Sequence, residues 1–422
     1  MQDRVSLYPG RVKLEPVAGQ ANLYDLTRAD QPTQEGTPLN KASLLSDATE
    51  TAMFGAAANR TVDEAFSGLA AQIKLIMSNT AAITLTLKDS AGHAIPGVLV
   101  QGILTESGQA VYSSTDGVAA GYVAEGSQTI KITGYADIED YTETIAVTKG
   151  TTITKALTLT TRNFLKITSS KSVMFSGNVN TVDVTVVGGG GGGSSSATTQ
   201  YGRQCGGNGG GGGYCVLQTD VSVQDNQSYA AIIGAGGTGG VSLDGASGEG
   251  QIGKDGGQSS FMGVTAAGGK GGKSNTADSS TVNRSAAANG NGAGGLAAYH
   301  ISMSSYSGSK GENGTVEGYI SFSEKGLFGG GGGGGMGSYQ ENGGYQAHYP
   351  GYDGGLPYGA AGGAINTSSN KYNGHNAVAN TGGGGGGSGL EQQDDGSSAH
   401  NANGGSGGSG VVTIRMHLKS AA

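Results

Sequence analysis

Three patterns of hydrophobic and polar residues follow one another along the chain, and each predicts a different kind of structure. The first is the segment TVDEAFSGLAAQIKLIMSN, which opens with Thr61 and Glu64 in a capping-box pattern. Its apolar residues recur at the heptad spacing of an amphipathic helix. They are Val62, Phe66, Leu69, Ile73 and Ile76.

This heptad stripe has two interpretations. An amphipathic helix can bury such a stripe against its own domain, and an isolated helix of about two heptads is only marginally stable. Alternatively, residues 58–80 form a short parallel coiled coil that joins three copies of the chain. We assign 58–80 as an oligomerising helix and residues 1–57 as an N-terminal attachment arm, which is turn-rich at 28–41 and carries a second short helix at 40–55.

The second pattern covers residues 81–161. Alternating segments such as AITLTLKDSAG, GVLVQGIL and TTITKALTLTT are separated by turn signals at intervals of about ten residues. This pattern predicts an Ig-like β-sandwich of about seven strands, which we assign as a spacer domain.

The third pattern, over residues 162–422, is a series of about ten glycine-rich runs between the strands TVDVTVV and GVVTIRMHL. Runs such as FGGGGGGGM have apolar flanks, unlike flexible linkers. Extended glycine chains of three residues per turn rise about 3.1 Å per residue, so seven residues span about 22 Å. Only glycine allows such chains to lie close enough to bond to one another. The pattern therefore predicts a polyglycine-II sandwich capped by β-strands, in a fold that is mostly β and irregular.

Composition restricts the function classes. The 422 residues carry a net charge of −8, which argues against a protein that binds the phosphates of a nucleic acid. No stretch of 18 apolar residues occurs, so we expect no membrane insertion. The N-terminus lacks the apolar core of a secretory signal, which favours synthesis and folding in a cytoplasm. The scattered histidines and carboxylates predict no catalytic centre, no metal and no cofactor.

Two local features have more than one interpretation. Cys205 and Cys215 bracket one glycine run, and they form either one local disulfide or two small buried thiols. The segment AGGKGGKS, residues 267–274, matches a loose P-loop spacing. No helix pattern follows it, however, and matches by chance are expected among so many glycines.

Three resemblances connect these segments to known families. The segment from AGHAIPGVLVQ to GSQTIKITG resembles prealbumin-like modules of the carboxypeptidase-regulatory and Cna-B types; no Asn lies between Asn79 and Asn163, so their Lys–Asn isopeptide bond is not expected. VDVTVVGGGGGG, YAAIIGAGGTGG and GSGVVTIRMH resemble the glycine-rich domain of bacteriophage tail-fibre adhesins. The segment from YPGRVKLEPV to ETAMFG resembles the opening of tail proteins from phages and prophages of low-GC Gram-positive bacteria.

These resemblances imply a fibre of a virion or a phage-tail-like particle such as a contractile bacteriocin. Its N-terminus would attach to baseplate or tail proteins. Its C-terminal tip would bind a host cell-surface glycan or protein. Two alternatives are a structural tail component without receptor contact and a tip that degrades glycan.

The candidate receptor-binding residues lie in the segments least like a scaffold. Nine of the 18 tyrosines fall between residues 299 and 372, and tyrosine offers rigid amphipathic contact area; some of them are alternatively internal caps of the lattice. The candidates are Tyr201, Tyr299, Tyr306, Tyr339, Tyr345, His348, Tyr349, Tyr352, Tyr358, Tyr372 and His375.

Overall fold

The computed structural model is mostly β-structure, with one main helix among the described residues. The residues it describes are 5–6, 12–19, 23–28, 32–34, 51, 61, 63–70, 79–198, 204–242, 250–277, 282–283, 287–297, 299–302, 305–335, 340–341, 344–345, 351–362, 373–391 and 400–419. The chain packs as two compact units. The first is Met1–Ala81 with Ala124–Gly126 and Ala146–Thr151, and the second holds the rest.

In the first unit the structure describes four short strands and the helix α1, residues 63–70. The strands pair antiparallel, β1 with β4 and β2 with β3. They are β1 (Val5–Ser6), β2 (Val12–Pro16), β3 (Tyr24–Arg28) and β4 (Pro32–Gln34).

The predicted capping box begins α1. The backbone N of Glu64 donates to Oγ1 of Thr61 over 3.2 Å, and the Glu64 carboxylate accepts from the backbone N of Thr61 over 2.7 Å. Phe66 is 67% exposed and Leu69 is half-buried in the single chain. Val62, Ile73 and Ile76 lie outside the described residues, as does the predicted helix at 40–55 except for residue 51.

Residues 80–158 form a curled sheet of seven strands, in the number that the alternation predicts. The order across the sheet is β10-β9-β6-β8-β5-β11, with β7 on β6 and with β5 parallel to β11. Lys155 on β11 reaches Glu143 on β10, so the two edges of the sheet face each other. The strands are β5 (Thr80–Lys88), β6 (Leu99–Leu104), β7 (Ala110–Tyr112), β8 (Val118–Ala124), β9 (Gly126–Ile132), β10 (Tyr141–Val147) and β11 (Thr152–Thr158).

Alternation decides which side of this sheet is buried. Along β5 every second residue is buried, including Ile83, Leu85 and Leu87, each at most 1% exposed. The intervening threonines are half-buried. A strand turns successive side chains to opposite faces, so this pattern buries one aliphatic face.

Within the described residues, twenty further strands belong to the glycine-rich part of the second unit. Most are two-stranded hairpins. The strands are β12 (Phe164–Ile167), β13 (Lys171–Val173), β14 (Val179–Val187), β15 (Ala197–Thr198), β16 (Gln204–Cys205), β17 (Cys215–Ser222), β18 (Tyr229–Ala231), β19 (Ser259–Phe261), β20 (Val264–Ala266), β21 (Thr276–Ala277), β22 (Val282–Asn283), β23 (Tyr299–Ser302), β24 (Ser305–Ser307), β25 (Glu317–Tyr319), β26 (Lys325–Leu327), β27 (Gln340–Glu341), β28 (Gly344–Tyr345), β29 (Leu390–Glu391), β30 (His400–Asn401) and β31 (Val411–Leu418).

One four-stranded sheet, in the order β12-β31-β14-β17, gathers the two ends of this region. Strands β14 and β31 pair antiparallel, so the two strands that bound the glycine runs lie together. The core under the sheet includes Phe175, Val184, Phe261 and Ile414. The apolar flanks Val186, Val187 and Phe328 are buried, whereas Ile232 is 53% exposed because it begins an outer run.

The glycine runs between residues 188 and 410 bond to one another, and we call this arrangement the glycine lattice. Run 188–194 donates from its N–H groups to three neighbouring runs and accepts at its carbonyls from three others, over 2.8–3.1 Å. Every third residue meets the same neighbour: Gly188 and Gly191 donate to Tyr214 and Gly211. The six neighbours are residues 208–214, 237–240, 254–257, 269–272, 385–388 and 405–408.

The run in FGGGGGGGM, residues 329–335, also lies inside the lattice. It is buried throughout and is hydrogen-bonded to six other stretches of chain. A Cβ added to Gly332 would lie 1.9 Å from the carbonyl oxygen of Gly385. Glycine is therefore required here by the closeness of neighbouring backbones.

Outer runs need glycine only where they face inward. Along run 234–241, Gly234, Gly237 and Gly240 are buried, whereas Ala235 and Thr238 are exposed. A Cβ on Gly237 would lie 2.0 Å from the Lys254 carbonyl oxygen. The sequence of this run, GAGGTGGV, is therefore that of a chain with three residues per turn and one side that faces solvent.

Candidate functional site

The glycine lattice has two different ends, because successive runs reverse direction. We call the end beside the four-stranded sheet the sheet end and the opposite end the far end. Strand β14 leads out through run 188–194, and run 207–214 returns antiparallel to it into β17. The hairpin of β15 and β16 joins the two at the far end.

Four other hairpins also lie at the far end, since the run that leads into each is parallel to run 188–194. Residues 269–272 and 385–388 donate to run 188–194 in ascending order, so they are parallel to it. Residues 292–295 and 329–335 are antiparallel to run 207–213, which is itself antiparallel to run 188–194, so they are parallel to run 188–194 as well. The hairpins that follow these runs are β21–β22, β23–β24, β27–β28 and β29–β30.

Polar side chains fix the far end of the central runs. The backbone N of Asn208 donates to Oγ of Ser194 over 2.8 Å. The Asn208 amide donates to Oδ1 of Asn275 over 2.9 Å and accepts from the backbone N of Ala297 over 2.8 Å. All three side chains, Ser194, Asn208 and Asn275, are fully buried. The hairpins therefore emerge from an anchored layer, which sequence reasoning missed because isolated Ser and Asn among glycines look like loop residues.

The structure places only part of the predicted binding set. The backbones of Tyr299, Tyr306 and Tyr345 lie in far-end hairpins. Tyr352 is half-buried, with its backbone N on the carbonyl of Gly334 near the far end, and His375 is exposed beside Gly386. The other members lie outside the described residues: Tyr201, Tyr339, His348, Tyr349 and Tyr372.

Tyr358 lies at the sheet end, apart from the other described candidates. It follows the cis peptide bond Leu356–Pro357, its φ is 73°, and it is 39% exposed. Its carbonyl oxygen lies next to Gly383, only 2.0 Å from the position that a Cβ on Gly383 would take. Gly383 is at the start of a run that leaves the sheet end. Among the described candidates, Tyr352 and His375 belong to the far-end half of the lattice and Tyr358 does not.

The sheet itself carries a cluster of charged groups around Asp183, which is 3% exposed. Its carboxylate lies 3.1 Å from Nη1 of Arg415 and 3.1 Å from Nε2 of His417. It also accepts from the backbone N of Asp220 over 3.0 Å. The Arg415 guanidinium stacks against the ring of Tyr319 at 4.8 Å.

This cluster resembles a metal site only in composition. Ligand atoms of Asp183, Asp220 and His417 lie within 4.8 Å of one another. Both oxygens of Asp183 already have partners, and the Arg415 guanidinium supplies the positive charge beside them. The residues therefore fit a structural ion-pair network, which joins β14 to β31.

The segment with P-loop spacing has no phosphate-binding geometry. Residues 267–272 are an extended run of the lattice and lead into β21. Lys270 pairs with Asp255 at 2.7 Å. Among the described residues, no helix is long and apolar enough to cross a membrane.

Comparison with known protein families finds a match over the glycine-rich part of the chain. The model of a family described as a glycine-rich domain matches residues 167–417, which begin in β12 and end in β31. This is more than half of the chain. The chain belongs to the glycine-rich domain family. The match starts and stops on paired strands of the four-stranded sheet, so the glycine-rich domain is bounded by that sheet.

Other comparisons add little. No curated protein matches the chain. A solved structure of a DUF3823 family protein from Bacteroides ovatus has 11% identity and a TM-score of 0.17, over 46% of this chain and 97% of that one. A likeness at that TM-score carries no argument about the glycine-rich domain.

The two cysteines of the glycine-rich domain are buried and are not bonded to each other, so the disulfide interpretation is wrong and the buried-thiol interpretation is confirmed. Cys205 pairs with Ala197 at the far end, and Cys215 pairs with Val187 at the sheet end. Ten residues of extended run separate those positions by about 30 Å, whereas a disulfide needs Cα atoms within about 7 Å. Burial also raises the pKa of Cys215 to about 12.

The buried pairs of Asp183 predict that the glycine-rich domain is less stable in acid. Burial disfavours its charged form, but the hydrogen bond from Asp220 and the pairs with His417 and Arg415 outweigh burial. The pKa of Asp183 is therefore lower than its ordinary value of 3.8. A carboxylate whose pKa is lowered by folding stabilises the fold above its unfolded pKa, and that contribution is lost as the pH falls through the folded pKa.

We expect the free energy of unfolding to decrease as the pH falls below about 4, and Asp183→Asn to remove part of that decrease. Denaturant titrations between pH 7 and pH 2 measure both slopes. Asp353→Asn, at an exposed carboxylate, is the matched control. A slope that Asp183→Asn leaves unchanged contradicts the assignment.

Proposed function

We propose that the protein is the fibre of a phage or a phage-tail-like particle, and that its glycine-rich domain binds a host cell-surface glycan or protein. The N-terminal arm would attach the fibre to the baseplate. One observation carries the proposal: the glycine lattice brings five hairpins from distant parts of the chain to one end. Such an end, on a rigid scaffold, is suited to recognition.

The packing at the two ends of the lattice supports binding at the far end. The sheet end is occupied by the four-stranded sheet and its core. The far end begins at the buried Ser and Asn layer, so the strands of the hairpins leave a fixed base. A pre-organised base lowers the entropy cost of binding.

Two finer statements belong to this proposal. The three-residue period and the six neighbours of run 188–194 favour the polyglycine-II conformation for the lattice. The exposure of Phe66 on α1 favours burial of the heptad stripe between chains, as in a homotrimer. Three tips on one fibre would combine weak sites through avidity.

Binding of the purified, fluorescently labelled full chain to cells tests the function. We expect saturable binding to a subset of bacterial strains, and competition by unlabelled chain. Assay of reducing sugar released from the same envelopes separates binding from glycan degradation. Absence of binding to every strain on which particles carrying this fibre adsorb would favour a structural tail component instead.

A further inference from the structure

We infer that the curled sheet of β5–β11 and the glycine-rich domain fold and move as one body, so that the sheet is a rigid extension of the tip and not a hinged spacer. The inference does not depend on the proposed function. It rests on the loop 133–140, which joins β9 to β10 and lies against the first strands of the glycine-rich domain.

Backbone pairing fixes the first part of this loop. The backbone N of Met174 donates to the carbonyl of Gly134, and the backbone N of Ala136 donates to the carbonyl of Met174, each over 2.8 Å. Ala136 is buried in the same apolar cluster as Phe175 and Val182. The loop therefore contributes to the core of the glycine-rich domain.

Asp137 is the polar centre of the junction and is 1% exposed. Its carboxylate accepts from both the backbone N and the hydroxyl of Ser176. Arg162 lies along the same loop and donates to the carbonyls of Ala136 and Ile138 over 2.8 and 2.7 Å. A buried carboxylate is costly unless its partners are in place, so partial separation of the two parts is disfavoured.

Tyr135 makes a second buried link. Its hydroxyl accepts from the backbone N of Leu99 on β6 over 2.7 Å and donates to Oδ1 of Asn226. A third link is the hydrogen bond from the backbone N of Gly177 to the carbonyl of Pro96, over 2.8 Å. Three separated contacts along one interface resist bending in any direction, unlike a single-chain linker.

The chain contains no tryptophan, so single introduced tryptophans can report on each part. Tyr122→Trp labels the curled sheet and Tyr214→Trp labels the glycine-rich domain, at sites 38% and 41% exposed. In the full chain we expect both reporters to give the same denaturant midpoint. Clearly different midpoints would overturn the inference.

Junction variants test whether the coupling passes through these residues. Asp137→Ala should lower the midpoint of the sheet reporter below that of the domain reporter. Asp116→Ala, at an exposed carboxylate of the same sheet, should leave them coincident. If Asp137→Ala does not fold, Tyr135→Phe, which removes one hydroxyl, should separate the midpoints by a smaller shift. Midpoints that stay coincident in a folded junction variant contradict the assignment.

Discussion

Gly332→Ala is expected to destabilise the glycine-rich domain by about 3 kcal/mol or more. The added Cβ would lie 1.9 Å from the carbonyl oxygen of Gly385, and overpacking of a rigid interior costs about 1–3 kcal/mol. Moving the run apart also weakens the bonds of Gly332 to Gly210 and Gly295, at about 1 kcal/mol each. The lower entropy of an unfolded chain with alanine offsets at most about 1 kcal/mol.

Calorimetry of the full chain measures this effect as a shift in Tm. For a domain of this size, about 3 kcal/mol corresponds to a decrease of about 6–12 °C. Ala235→Leu is the matched control, because it adds a larger side chain at an exposed position of an outer run. Its Tm should stay within about 1–2 °C of the parent, as for ordinary surface substitutions. A decrease in Tm for Gly332→Ala as small as that for Ala235→Leu would show that the neighbours of Gly332 relax and that the lattice is not tightly packed.

The sequence indicated this lattice because its physical requirement is unusual. Glycine at every position of 329–335, with apolar flanks, is costly unless neighbouring backbones occupy the space of each Cβ. The alternation in β5 and the capping box of Thr61 were equally readable, since each depends on local geometry. The sequence also predicted a strand at each end of the glycine runs, and the structure shows that these strands, β14 and β31, pair with each other.

Other features depend on contacts between distant residues and could not be read from local pattern. The spacing of Cys205 and Cys215 permits a disulfide, but an extended run places them at opposite ends of the lattice. Tyr358 lies in the same tyrosine-rich segment as Tyr345 and Tyr352, but residues 352–355 run back along the lattice and place Tyr358 at the sheet end. The pairing of Asp137 with Ser176 joins residues 39 positions apart.

The proposal that the far end of the lattice binds a receptor is tested by excision of one far-end hairpin. Residues 336–350 hold Tyr339, Tyr345, His348 and Tyr349. The runs on either side lie next to each other, since the backbone N of Tyr352 donates to the carbonyl of Gly334 over 3.0 Å. A Gly-Asn-Gly turn in place of 336–350 should therefore close the chain without distortion of the lattice.

We expect this excision to keep the Tm of the glycine-rich domain and to lower the affinity for host cells by about tenfold or more. Loss of one aromatic hot spot costs about 2 kcal/mol, and 1.4 kcal/mol is tenfold in affinity. Tyr358→Asn is the control: it removes an exposed tyrosine at the sheet end, and asparagine tolerates the φ of 73° there. Titration of labelled protein on cells measures both variants. Loss of binding in Tyr358→Asn with full binding after the excision would contradict the proposal and favour a receptor contact at the sheet end, where Tyr358 lies.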